Sequence, residues 1–148
     1  MRKVLVSVVS AIALLAFGVT AASADGIGAQ KAPLVHNVFE SCFGGLINPP
    51  SPLPTGFGSA VITATDATLI AEVGLKNALP NTTYQVALTQ TPSGAGCNVY
   101  TDTITTNGEG NGNVHITQAL LPGTTDAFVD VVDFTTFDFY NSPDVTIA

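Results

Sequence analysis

Few side chains in this sequence of 148 residues are suited to acid–base or metal chemistry. It contains two histidines, His36 and His115, and five aspartates near the C-terminus: Asp126, Asp130, Asp133, Asp138 and Asp144. A zinc site would need both imidazoles and a carboxylate, and no ligand spacing joins them. No nucleophile elbow, Walker loop or zincin motif is present. We therefore expect solvent-facing histidines and mostly solvated aspartates, with no catalytic residue, metal ligand or cofactor. A small hydrolase or metal-dependent enzyme that uses His115 or one of these aspartates is the alternative.

Residues 107–113, Asn-Gly-Glu-Gly-Asn-Gly-Asn, place oxygen-bearing side chains at alternate positions of a would-be calcium loop. An EF-hand also needs an acidic residue five positions further on, where this chain has Gln118. A hairpin turn explains the same composition, because Asn and Gly adopt positive φ values readily. The sequence predicts the hairpin, and a weak calcium site is the alternative.

Residues 134–140, Phe-Thr-Thr-Phe-Asp-Phe-Tyr, form an aromatic-rich stretch. If these rings are exposed, they form a contact surface for a partner or a glycan. The residues concerned are Phe134, Phe137, Phe139 and Tyr140. The alternative is a loop that folds its rings under the domain. A carbohydrate-binding module is a further alternative function, but such modules usually present Trp or Tyr platforms, and this chain has no Trp and three Tyr.

The N-terminus has the three parts of a secretory signal peptide. Met1-Arg2-Lys3 is cationic, residues 4–19 are mainly apolar, and Ala22-Ser23-Ala24 matches the small-residue cleavage pattern. The sequence therefore predicts removal of residues 1–24 and a secreted protein. An uncleaved membrane anchor is the alternative, because no charge lies between Lys3 and Asp25. No later apolar run has spanning length, so no membrane span is expected after cleavage.

Beyond residue 24 the chain is strongly acidic. Two cations, Lys31 and Lys76, stand against eleven Asp and Glu, a net charge of −9. Nucleic-acid binding needs clustered Lys and Arg, so this balance excludes a nucleic-acid partner.

Cys42 and Cys97 are the two cysteines of the chain. In an exported protein pairing is the default, and both lie in glycine-rich segments that adapt to disulfide geometry. The predicted disulfide closes a loop of about 55 residues, worth roughly 4 kcal/mol in the chain-entropy model.

From Phe57 onward the apolar residues recur with a period of two, as in strands with one buried face. The pattern predicts a flexible leader over 25–33 and one domain over 34–148, with about seven to eight strands. The expected strands are 34–39, 57–64, 68–75, 83–89, 99–105, 112–117, 126–132 and 144–148. Their regular spacing favours an all-β, antiparallel β-sandwich of immunoglobulin-like or Greek-key type, with a small β-barrel as the alternative.

The motif Leu79-Pro80-Asn-Thr-Thr-Tyr84 resembles the entry to a late strand of fibronectin type III and immunoglobulin-like domains. In those domains the Tyr hydrogen-bonds back across the corner between strands. The whole region after residue 24 is similar to small secreted bacterial sandwich proteins of unknown function. The resemblance implies a sandwich fold and an extracellular location. Together with the absence of catalytic motifs, it predicts a non-catalytic interaction or structural protein whose partner is an extracellular protein or envelope component.

Overall fold

The computed structural model describes residues 28–37 and 57–147, which form ten β-strands and no helix. The strands are β1 (Gln30–Pro33), β2 (Val35–Asn37), β3 (Gly58–Ala64), β4 (Thr68–Leu75), β5 (Thr83–Thr91), β6 (Asp102–Thr105), β7 (Gly112–Ala119), β8 (Asp126–Asp133), β9 (Asp138–Asn141) and β10 (Val145–Thr146). In these two ranges no helix could cross a membrane.

The strands form two antiparallel sheets. The first has four strands in the order β1-β3-β4-β7, and the second follows the path β2-β9-β8-β5-β6, with β10 paired to β8. The two sheets are not closed into a barrel, and their inner faces share one apolar core. The prediction of an all-β antiparallel sandwich is confirmed.

The period of two determines which face of the first sheet is buried. In β4, Leu69, Ala71, Val73 and Leu75 all point into the core, while Glu72 on the opposite face is exposed. The second sheet differs, because Phe128 and Val132 are buried on the face of β8 that points away from Val129 and Val131. Its central strands are therefore buried on both faces, as the apolar residues at successive positions of β8 suggest.

Two strands lie where the sequence predicted irregular structure. Residues 30–33, assigned to a flexible leader, form β1 and pair with β3 from Gln30↔Ile62 to Pro33↔Ser59. That part of the leader prediction is wrong, because an edge strand tolerates Pro33 where a central strand would not. The second is β9, which pairs with β8 in the register Asp133↔Asp138 to Asp130↔Asn141.

The segment between β6 and β7 is not a hairpin. β6 pairs with β5 in the second sheet and β7 pairs with β4 in the first, so residues 106–111 pass from one sheet to the other. Gly110 has φ 76°, and its carbonyl accepts a hydrogen bond from the Ala78 N–H at 3.1 Å. A Cβ at this position would lie 2.1 Å from the Ala78 carbonyl oxygen, so the close approach requires glycine.

Three rings form the buried aromatic cluster of the core: the buried Tyr84 and Tyr140 and the half-buried Phe57 that packs against them. Phe57 stacks on Tyr140 with ring centroids 3.6 Å apart, and Tyr84 meets both rings edge-on at 6.1 and 6.3 Å. The Tyr84 hydroxyl accepts a hydrogen bond from the Leu79 N–H at 3.1 Å. The hydrogen bond that the Leu79–Tyr84 motif predicts is therefore present.

Candidate functional site

A second group of three rings, Tyr100, Phe134 and Phe137, forms the exposed aromatic cluster at the surface. Tyr100 precedes β6, while Phe134 and Phe137 lie in the turn between β8 and β9. Phe134 meets Tyr100 edge-on at 5.2 Å and Phe137 at 6.4 Å. Phe134 is 47% exposed and Phe137 is 69% exposed. Edge-on contact keeps the rings together while a large apolar area faces water.

The turn that carries the two phenylalanines is organised by Asp133. Its backbone carbonyl accepts a hydrogen bond from the Phe137 N–H at 2.7 Å, and its Oδ1 accepts one from the Thr135 N–H at 2.8 Å. These bonds place Phe137 in the left-handed region, with φ 58°. An aromatic residue seldom adopts this conformation, because its Cβ crowds the following carbonyl oxygen.

The four aromatic residues predicted as a contact surface separate into different environments. Phe134 and Phe137 are exposed, and Phe139 in β9 is partly buried. Tyr140 belongs to the core, because inward and outward positions alternate along β9. The cluster therefore consists of the exposed Phe134 and Phe137 and the half-buried Tyr100, which the sequence analysis missed, and it excludes Tyr140.

The exposed face of the first sheet carries a hydrogen-bonded row of Thr117, His115 and Glu72. Glu72 and His115 are directly opposite in the β4–β7 pairing, and their Oε1 and Nδ1 atoms are 2.5 Å apart. An ionised carboxylate can only accept, so the imidazole donates from Nδ1, and in its neutral form Nε2 accepts from the Thr117 hydroxyl at 3.0 Å. The order hydroxyl, imidazole, carboxylate is that of a hydrolase triad.

The row lies on an open surface. The His115 and Glu72 side chains are 56% and 57% exposed, as predicted for His115. A triad works in a site that excludes water and offers donors to a developing oxyanion, and a flat sheet face provides little shelter from solvent. His36 lies in β2, and its side chain is outside what the structure describes.

The C-terminal aspartates are less exposed than predicted. Asp144 is exposed, but Asp130 and Asp133 are buried, so the expectation of solvated carboxylates is wrong for these two. Asp130 accepts hydrogen bonds from the Asn141 Nδ2 and, at 3.4 Å, from the Thr89 hydroxyl. Asp130, Thr89 and Asn141 are all buried, so this carboxylate is bonded within the protein rather than to solvent. In residues 28–37 and 57–147 no group of three His, Cys, Asp or Glu is arranged to hold a metal ion.

In the candidate calcium loop, the first oxygen that could bind a metal is already hydrogen-bonded to the backbone of the loop. The Oδ1 of Asn107 accepts hydrogen bonds from the Glu109 and Asn111 N–H groups, both at 2.9 Å. The Asn111 side chain donates to Glu109 Oε2 at 3.3 Å. This pattern is an Asx turn, which explains the composition of the segment without a metal.

The predicted disulfide involves one described residue. Cys97 lies in the loop between β5 and β6, where its N–H donates to the Gly94 carbonyl at 3.0 Å. Cys42 lies outside the described residues, so the pairing of Cys42 with Cys97 stays a prediction.

The partners of His115 were only partly visible in the sequence. Thr117 lies two residues after His115, so it shares the same strand face. Glu72 is 43 residues away, and only the register between β4 and β7 brings it opposite His115.

No protein-family model matches the chain, and no curated protein is similar to it in sequence.

Proposed function

We propose that the protein is a non-catalytic β-sandwich domain that acts by contact through its exposed aromatic cluster. The observation that carries the proposal is the position of Phe137, 69% exposed at φ 58°. An exposed phenylalanine adds little to stability, and a left-handed backbone costs about 1–2 kcal/mol in a non-glycine residue. Glycine or asparagine would suit the turn better, so the ring at this position is best explained by what it contacts.

The composition of the cluster suits a protein interface. Aromatic residues are enriched at binding hot spots because a rigid ring buries a large area at a small entropic cost. The two phenylalanines have no hydrogen-bonding group, whereas sugar-binding platforms usually combine a ring with a polar atom. We therefore propose an extracellular protein or envelope component as the partner.

An extracellular partner requires that the protein be exported. We propose that residues 1–24, which lie outside the described residues, are removed as a signal peptide. Intact-mass measurement of the exported protein should give a chain that begins at Asp25. Recovery of the full-length chain from membranes would contradict cleavage and release as a secreted protein.

Photocrosslinking in the native extracellular medium tests the contact directly. A benzoylphenylalanine at position 137 should form one discrete adduct, which mass spectrometry identifies. The same residue at position 103 is the control, because Thr103 is exposed on β6 outside the cluster. Phe134→Ser should abolish the adduct at 137 while leaving the unfolding midpoint unchanged. If no adduct forms at 137, or an equal one forms at 103, the cluster is not a contact site.

A hydrolase is the second candidate, and the Thr117–His115–Glu72 row supports it. In that mechanism the Thr117 hydroxyl attacks an ester carbonyl, and His115 passes its proton to the departing alcohol. Water, deprotonated by His115, then cleaves the acyl–Thr117 ester, which releases the acid and restores the Thr117 hydroxyl. Glu72 holds the imidazole with Nδ1 protonated. The exposure of the row favours the contact function over this one.

Ester turnover separates the two candidates. Purified protein should hydrolyse p-nitrophenyl acetate no faster than free imidazole does at the same concentration. Turnover that exceeds this level and is lost in both Thr117→Val and His115→Gln would support the hydrolase. Loss in His115→Gln alone would indicate ordinary imidazole catalysis by an exposed side chain.

A further inference from the structure

Two lysines converge on one open groove on the four-stranded sheet. The groove has a volume of about 470 Å³ and is lined by Lys31, Pro33, Gly58, Ser59, Gly74 and Lys76. These are the two cations that the chain has beyond residue 24. Lys31 is on β1, at one edge of the sheet, and Lys76 directly follows β4. Their convergence is a product of the topology, because 45 positions separate them in the sequence.

Neither ammonium group is neutralised within the described part of the chain. No carboxylate there forms a salt bridge with Lys31 or Lys76, although acidic residues outnumber lysines heavily. Glu72 is the carboxylate on the same face of β4, and it is hydrogen-bonded to His115 on β7. The two ammonium groups are therefore available to an anionic ligand at this place.

The sheet leaves room for a ligand between the lysines. One register row crosses all four strands and consists of Pro33, Ser59, Gly74 and Asn113. At ordinary strand spacing, its two ends are about 14 Å apart. A Cβ built on Gly74 would meet no atom within 4 Å. The row thus has a gap in its middle, open to solvent and flanked by the two cations.

A second groove continues the first. It has a volume of about 600 Å³, shares Gly74 and Lys76 with the first, and is lined further by Asn107, Asn111 and Asn113. The Asx turn fixes Asn107 through its Oδ1, so its position is set before any ligand binds. Asn107 therefore offers its Nδ2 donors to a ligand hydroxyl, whereas an amide such as that of Asn113 can both donate and accept.

We infer that this composite groove, from Lys31 to Asn113, binds an acidic saccharide. The lysines hold its carboxylate or sulfate, and Ser59 and the asparagine amides hydrogen-bond to its hydroxyls. The length of the row fits an oligomer better than a single small anion. A nucleic acid is a poorer match, because its binding needs clustered Lys and Arg, and this groove has two lysines.

Binding is measured by calorimetry with three probes: a hyaluronan tetrasaccharide, a galacturonate tetrasaccharide and a sulfated heparin tetrasaccharide. At least one should bind, more weakly as salt is raised, while its carboxyl-reduced or desulfated form should not. The double variant Lys31→Gln/Lys76→Gln should weaken binding at least roughly tenfold, since each lost bond involves a charged group. Binding of none of the three overturns the inference, as does binding unaffected by the double variant.

A matched pair at Gly74 tests the position of the ligand. Gly74→Asp adds a carboxylate between the lysines, and Gly74→Asn adds a side chain of the same shape without charge. Gly74→Asp should reduce the affinity for the saccharide several-fold more than Gly74→Asn does, and the two variants should have equal unfolding midpoints. Equal affinities would place the ligand elsewhere, and inorganic phosphate that displaces the saccharide at equal concentration would indicate a simple anion site.

Phe137→Gly should leave saccharide binding unchanged, so this test is independent of the aromatic cluster.

Discussion

The buried and exposed aromatic clusters share edge-on ring contacts but differ in their surroundings. Edge-on contacts have centroid separations of 6.1 and 6.3 Å in the buried cluster and 5.2 and 6.4 Å in the exposed one. In the buried cluster Tyr84 is fully enclosed and its hydroxyl is bonded to the backbone. In the exposed cluster Phe137 faces water from a left-handed backbone. Ring pairing alone therefore does not reveal what a cluster contributes, because most of the stabilisation comes from the area removed from water.

Removing the Tyr84 ring should have the largest effect on stability. Tyr84→Ala leaves a cavity next to Phe57 and Tyr140, and we expect the free energy of unfolding to fall by about 3–5 kcal/mol. The matched change in the exposed cluster, Tyr100→Ala, should cost less than about 1 kcal/mol. Urea unfolding of the two variants provides the measurement. Similar losses in both would mean that the exposed cluster is structural.

Loss of the predicted disulfide should have the second-largest effect on stability. Cys97 lies three residues before Tyr100, so the bond would restrain the loop that carries one ring of the exposed cluster. We expect Cys42→Ser/Cys97→Ser to lower the free energy of unfolding by about 2–4 kcal/mol. Hydrogen exchange should accelerate at Tyr100 before it does at Tyr84. Non-reducing peptide mapping checks the pairing itself, and complete thiol labelling of the native exported protein would refute it.

The Tyr84 hydroxyl offers a smaller, more specific test. Tyr84→Phe keeps the ring and removes the acceptor of the Leu79 N–H, so a loss of about 1 kcal/mol is expected. Tyr100→Phe is the control in the other cluster and should leave the free energy of unfolding nearly unchanged. A Tyr84→Phe variant as stable as the original protein would show that water replaces the corner hydrogen bond without cost.

The smallest effect on stability is expected at Phe137. Phe137→Gly relieves the left-handed strain, so the free energy of unfolding should hold or rise by up to about 1 kcal/mol. The photocrosslinked adduct, with benzoylphenylalanine moved to position 134, should be lost in the same variant. A clear fall in stability would instead assign the ring to the fold.

The sequence predicted those strands best whose two faces differ in polarity. β4 and β7 alternate between apolar and polar residues, and their predicted positions agree closely with the structure. β1 was missed because Gln30 and Lys31 carry no apolar signal and Pro33 argues against a strand. β9 was missed because it has only four residues and follows directly on a turn. Short edge strands depend on a partner strand more than on their own composition.

The candidate sites depended on information that no local pattern holds. The aromatic stretch was visible, but which rings are exposed depended on the turn at Asp133 and on the alternation of β9. Tyr100 joins the cluster through a contact with Phe134, 34 residues later in the sequence. The lysine groove likewise required the order β1-β3-β4 in the first sheet. Residue types were readable from the sequence, whereas their neighbours were set by strand register.

The single residue between β1 and β2 has a mechanical consequence. Leu34 is buried, and its N–H donates to the Gly58 carbonyl at 3.0 Å, while the strands on either side of it pair with different sheets. Tension applied at residue 28 along β1 would load the β1–β3 hydrogen bonds together, in shear. Because Leu34 alone connects β1 to β2, the same force would also load the hydrogen bonds between β2 and β9. Pulling from this end should therefore be resisted by hydrogen bonds of both sheets.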